Sequence, residues 1–113
     1  MNKRIRKFAN ELVPGNVFHP GEHLKDELTA RGMSQQELVD ALQISKSELS
    51  LIINGHRNIT PMIAVKLETT LGINAELWMK LQSKYDIDLV KKKYQNQFQK
   101  SLQSVVKKTI ATK

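Results

Sequence analysis

The residues best suited to chemistry fall between Ser34 and Arg57. Ser34-Gln-Gln-Glu37 and Ser45-Lys-Ser-Glu48 each spell a capping box, in which the serine oxygen accepts from the third helical N–H and the glutamate reaches back. Leu38, Val39, Ala41 and Leu42 follow the first box as a stripe to bury, and Leu49, Ile52 and Ile53 follow the second. Two short capped helices with a turn at Gln43-Ile44 predict a helix-turn-helix. The second helix of such a pair enters a DNA major groove end-on. Its first residues must then be polar and outward, while its flank is apolar and anchored. Lys46, Ser47 and Ser50 suit the first demand, Leu49 and Ile52 the second. Lys46 can donate to guanine acceptors or to phosphate, and the serines suit either. Gln35, opening the preceding helix, and Asn54 and Arg57, after the reading helix, are placed for contacts to the DNA backbone.

A plain bundle corner would use the same two capped helices, and local charge favours that alternative. Residues 34–57 hold Lys46 and Arg57 against Glu37, Asp40 and Glu48. Phosphate affinity comes mainly from neutralised charge, so binding strength must be supplied from elsewhere. The chain of 113 residues has a net charge of +7, concentrated at its ends. Lys91 to Lys113 contains seven lysines and no acid, and Lys3, Arg4, Arg6 and Lys7 make a basic N-terminal arm. Residues 11–90 carry seven bases against eleven acids, a net −4. Basic ends of this kind read as nucleic-acid arms, binders of acidic partners or solubilising tails.

Other chemistries fail on inspection. His19-x-x-Glu22-His23 matches a zinc-enzyme signature, but Pro20-Gly21 lies between the histidines at a helix start, so the match is rejected. His56 is isolated beside Gly55 and reads as solvated. Asn58-Ile-Thr60 matters as a glycosylation acceptor only on a secretory route, and no hydrophobic stretch follows the basic N-terminus. There is no cysteine, no phosphate-cradling glycine loop, no nucleophile–base pair and no carboxylate dyad on a shared face. The expectation is a cytoplasmic binding protein, not an enzyme, with no cofactor, metal or small-molecule ligand. The longest apolar run is Met62-Ile-Ala-Val65, against the ~18 residues a membrane span needs.

The elements that must hold these residues are helical. Pro20 fits a first helical position and Gly32 the residue past the end, with Leu24 and Leu28 facing inward. Thr60-Pro61 opens a fourth helix with Ile63, Val65, Leu67 and Leu71 as its apolar side and Gly72 as its stop. Asn74 caps a fifth. On it Trp78, with Leu77, Leu81 and Tyr85, reads equally as core or as a subunit contact. Ile87, Val90, Tyr94, Phe98, Leu102, Val105 and Ile110 step by three or four, predicting an amphipathic C-terminal helix. Its apolar face is too sparse and glutamine-rich for a membrane-surface helix. No stretch alternates with a period of two. The fold class is therefore all-α, with residues 1–18 as a flexible basic arm broken by Pro14-Gly15, 19–86 as a helix-turn-helix domain and 87–113 as a basic helical extension.

His19-Pro-Gly-Glu22, Ser34-Gln35 through Asn54-Gly55, Ile59-Thr60-Pro61, Leu77-Trp78 and Leu81-Gln82 through Tyr85-Asp86 carry a likeness. Over residues 17–92 the chain resembles the HigA-type antitoxins of the Xre/lambda-repressor-like helix-turn-helix superfamily, some of them known as virulence-associated protein I. The resemblance implies a five-helix DNA-binding domain that dimerises, represses its own operon at a palindromic operator and neutralises a HigB-type mRNA endonuclease toxin. It implies DNA contacts at Gln35, Lys46, Ser47, Ser50, Asn54 and Arg57, and dimer contacts near Leu77, Trp78 and Leu81. Three positions depart from the pattern. Val39 stands where a small residue is usual, Gln43 where glycine is, and Leu51 where a polar residue is common. Gln43 predicts a strained or rearranged turn, and Val39 a wider spacing of the paired helices. The alternatives are a protein-interaction module that holds a partner through its C-terminal helix, or an orphan repressor with no toxin.

Overall fold

The computed structural model describes residues 17–95, 97 and 100–105. The expected arm therefore lies outside the described residues except for Val17 and Phe18, as does the end of the C-terminal extension. Among the described residues five helices have defined bounds, in chain order α1 (Pro20–Arg31), α2 (Gln35–Leu42), α3 (Lys46–Ile53), α4 (Pro61–Leu71) and α5 (Ala75–Lys93), and residues 100–105 are helical as well. No strand occurs among the described residues, and the class is all-α.

The helix starts follow from local chemistry. Ser34 and Glu37 complete a capping box: Glu37 N–H donates to Ser34 Oγ at 3.0 Å, and Ser34 N–H to Glu37 Oε1 at 3.3 Å. At Ser45 only half of the predicted box forms. Glu48 N–H donates to Ser45 Oγ at 3.0 Å, whereas the Glu48 carboxylate lies 3.7 Å from the Arg57 guanidinium. Thr60 caps α4 ahead of Pro61, and Asn74 Oδ1 accepts from Glu76 N–H at 2.7 Å to start α5. The cap of α1 is His19, whose Nδ1 accepts from Gly21 N–H at 2.8 Å. The histidine rejected as a zinc ligand thus serves the first helical turn.

Phe18–Tyr85 forms one compact unit, and the described residues from Asp86 onward belong to a second. Inside the first, α1 packs on α3, and α2 packs on both α3 and α4. Leu24, Leu38, Leu49, Ile52 and Leu67 are fully enclosed. Arg31 ties the ends of α1 and α4 together, its guanidinium donating to the Leu71 carbonyl at 2.7 Å. Such a bond satisfies a carbonyl that has no partner within its own helix.

Two expected core positions are corrected. Ala41 is exposed, because the apolar arc of α2 closes with Leu38, Val39 and Leu42 alone. Val65 is exposed as well, and Ala64 takes the buried position beside Ile63 and Leu67. The expected boundary after residue 86 falls inside α5, which runs from Ala75 to Lys93, and within one residue of the division between the two compact units. No glycine or proline interrupts that stretch.

The turn between α2 and α3 bears the strain its sequence predicts. Gln43 sits at φ 55°, the one described non-glycine residue with positive φ. Its N–H closes α2 on the Val39 carbonyl at 2.9 Å. A side chain in this region costs about 1–2 kcal/mol, and glycine gives part of that back through its greater freedom when unfolded. Gln43→Gly is expected to raise stability by about 0.5–1 kcal/mol, read as a higher denaturant midpoint at unchanged slope. A lower midpoint would mean that the Gln43 side chain contributes a contact of its own.

Candidate nucleic-acid interface

Geometry around α3 separates an outward polar end from an anchored flank. Lys46 and Ser47, its first two residues, are exposed, and Ser50 is half-buried. Leu49, Ile52 and Ile53 are buried on the other side. Asn54 follows directly, its amide nitrogen donating to Ser50 Oγ at 3.3 Å. The chain then curls back, with the N–H groups of His56 and Arg57 both donating to the Leu51 carbonyl, at 2.8 and 3.2 Å. Gly55 permits this curl with φ 80°. Asn54 thereby meets Ser50 at the C-terminal end of α3, while the Arg57 guanidinium reaches back toward Glu48 in its first turn. Gln35 is exposed as the first residue of α2.

Two devices fix α3 in place, and the sequence alone disclosed neither. The first is Gly21. A Cβ built there would overlap the Ile52 carbonyl oxygen and come within 2.9 Å of that of Ile53. The start of α1 therefore lies against the last turn of α3 at a distance only glycine allows. The second is Gln82, buried on α5, whose Oε1 accepts from the Ile59 N–H at 2.7 Å. This secures the segment between α3 and α4. A polar residue four positions after Trp78, on a helix face otherwise apolar, was the signal that could have identified it.

The electrostatics are modest. Arg57 and Glu48 form an ion pair at 3.7 Å with side chains 51% and 31% exposed, which is worth little in free energy. Its effect is positional, since it holds the Arg57 guanidinium beside the first turn of α3.

The four residues weighed for a subunit contact divide. Leu77 is exposed. Leu81 is half-buried against the core, and Tyr85 meets the His19 ring edge-on at 4.7 Å between centroids. Trp78, at 2% exposure, is enclosed by its own chain, which favours the core reading over the subunit contact. No helix among the described residues is long and apolar enough to cross a membrane.

Comparison with known proteins places this geometry. A helix-turn-helix family model matches residues 24–78. Virulence-associated protein I of Dichelobacter nodosus is 34% identical over 81 residues, covering 71% of this chain and 75% of that protein. A HigA-family addiction-module antidote protein from Coxiella burnetii is 36% identical with a TM-score of 0.70, covering 75% of this chain and 94% of that one. Pseudomonas aeruginosa antitoxin HigA, solved with the higBA promoter, is 31% identical with a TM-score of 0.69, covering 74% and 91%.

Proposed function

The chain belongs to the HigA-type family of helix-turn-helix, DNA-binding antitoxins, and from that premise we propose that it binds its own operator as a dimer, represses its operon and neutralises a HigB-type mRNA endonuclease in the cytoplasm. In this reading residues 19–86 are the DNA-binding domain, and α3 is the reading helix. Lys46, Ser47 and Ser50 face base edges, while Gln35, Asn54 and Arg57 hold phosphates. Leu77, with Leu81 and Tyr85 at its margin, belongs to the dimer contact.

One observation supports this above the rest: α3 projects Lys46 and Ser47 into solvent while Leu49, Ile52 and Ile53 lock its flank. That is what groove insertion at a fixed angle demands. The Pseudomonas relative solved with its promoter supports DNA as the ligand. The weak charge of the helix pair calls for two half-sites to be engaged together, which a dimer provides.

Operator binding tests the assignment. Lys46→Ala is expected to lose about 1–3 kcal/mol on the preferred sequence and to discriminate less at one base position. Arg57→Ala is expected to weaken all sequences alike and to reduce the salt slope by about one. If both variants bind as the parent does, α3 is not the reading helix.

A further inference from the structure

Of the apolar residues of α3, Leu49, Ile52 and Ile53 are buried, and Leu51 alone is not, standing 37% exposed. Its backbone is employed, because the Leu51 carbonyl accepts from the N–H groups of both His56 and Arg57. The side chain follows Ser47 by four residues and precedes Asn54 by three, which puts it on their face of the helix. Ser47 and Asn54 are exposed, and Ser50 beside it is half-buried. A single exposed leucine needs no explanation on an ordinary surface. This one stands in the middle of the face that the DNA reading sends into the groove, where Ser47, Ser50 and Asn54 can all hydrogen-bond and it cannot.

We propose that Leu51 sets base specificity by packing on a thymine C5-methyl group in each half-site, a proposal that rests on α3 being the reading helix. Thymine carries the only methyl group on the major-groove edges of the four bases, and the rest of the pattern there is donors and acceptors. Laid over guanine, adenine or cytosine, the leucine would strip water from N7, O6 or an exocyclic amine and return no hydrogen bond. A buried polar group left in that state is costly. Over thymine, two wet apolar surfaces become one dry contact. Selection thus comes from both sides, as a gain with thymine and a penalty with the other bases. Leu51 lies about 6 Å along the helix axis from Ser47, farther than the roughly 3.4 Å between successive bases of a strand. The thymine therefore belongs to a different base pair from the one Ser47 faces. A helix pair poor in positive charge gains most from such a contact, because it releases no counterions and does not weaken with salt.

Deoxyuridine lacks the methyl and keeps the hydrogen-bonding edge of thymine. The test is a scan of the operator in which each thymine is replaced in turn, in both half-sites together. One replacement is expected to weaken the parent about fourfold per half-site, about fifteenfold in all, the value of one buried methyl group at each. Leu51→Ala should bind the unmodified operator at least that much more weakly and be indifferent to the same replacement. Its denaturant midpoint should stay close to the parent's, since Leu51 is not part of the enclosed core. A scan in which no thymine shows a loss that Leu51→Ala abolishes overturns the proposal. So does a Leu51→Ala protein that binds the operator as tightly as its parent. Lys46→Ala and Arg57→Ala, titrated on the same DNA, separate that failure from failure of the underlying reading. Where they weaken binding and the uracil scan is flat, α3 reads DNA without Leu51; where they change nothing, α3 is not the reading helix and both readings fall.

Discussion

Gly21→Ala is expected to lower stability by about 3 kcal/mol and to weaken operator binding at concentrations where the parent is saturated. One methyl group causes this because both atoms it meets, the carbonyl oxygens of Ile52 and Ile53, are backbone. No rotamer change relieves the overlap, so α1 must back away from α3. That takes Leu24 and Leu28 off Ile52 and its neighbours, which form a single core. It also strains the His19 cap, since the new Cβ would lie 3.0 Å from His19 Nδ1. The end of α3 that carries Asn54, and through it the curl that presents Arg57, loses its backing. Denaturant unfolding gives the stability term, and operator titration below the unfolding range gives the functional one. A variant as stable as its parent would show that the two helices can part at no cost, and that Gly21 does not set the angle of α3.

How much of this was legible in the residues follows from the range of each interaction. Caps act within four residues, so the serine boxes, Thr60-Pro61 and Asn74 located four helix starts before any tertiary contact was known. Helical periodicity gave the buried faces, except where neighbours decided between adjacent candidates, as with Val65 and Ala64. The outward set on α3 was legible because polar and apolar demands alternate within that one helix. What holds α3 was not. Gly21 has no unusual φ to advertise itself; its smallness answers two carbonyls far along the chain. Gln82 answers Ile59 across 23 positions, and a lone glutamine on a lysine-rich helix resembles a solvated one. Glu48 satisfied the spacing of a capping box, yet its carboxylate lies beside Arg57, a partner the box pattern does not contain.

Trp78→Ala is expected to destabilise the protein by about 3–5 kcal/mol, the range for emptying a buried large aromatic site. The loss should be the same at every protein concentration, because the side chain is enclosed by its own chain. This separates the core assignment from the subunit contact the sequence left open: a residue at a dimer interface would give a loss that shrinks as the protein is concentrated. Two companion variants sharpen the reading. The indole N–H of Trp78 is buried with no acceptor among the described residues, so Trp78→Phe removes an unsatisfied donor along with some apolar area. It should cost less than about 1.5 kcal/mol. Leu77→Ala, at an exposed position one residue earlier, should leave dilute-solution stability within about 0.5 kcal/mol of the parent. If α5 forms the dimer contact, the same Leu77 variant should weaken operator binding through dimerisation and leave single half-site affinity intact. A Trp78→Ala protein that unfolds like its parent when dilute would return Trp78 to the interface and require a different core.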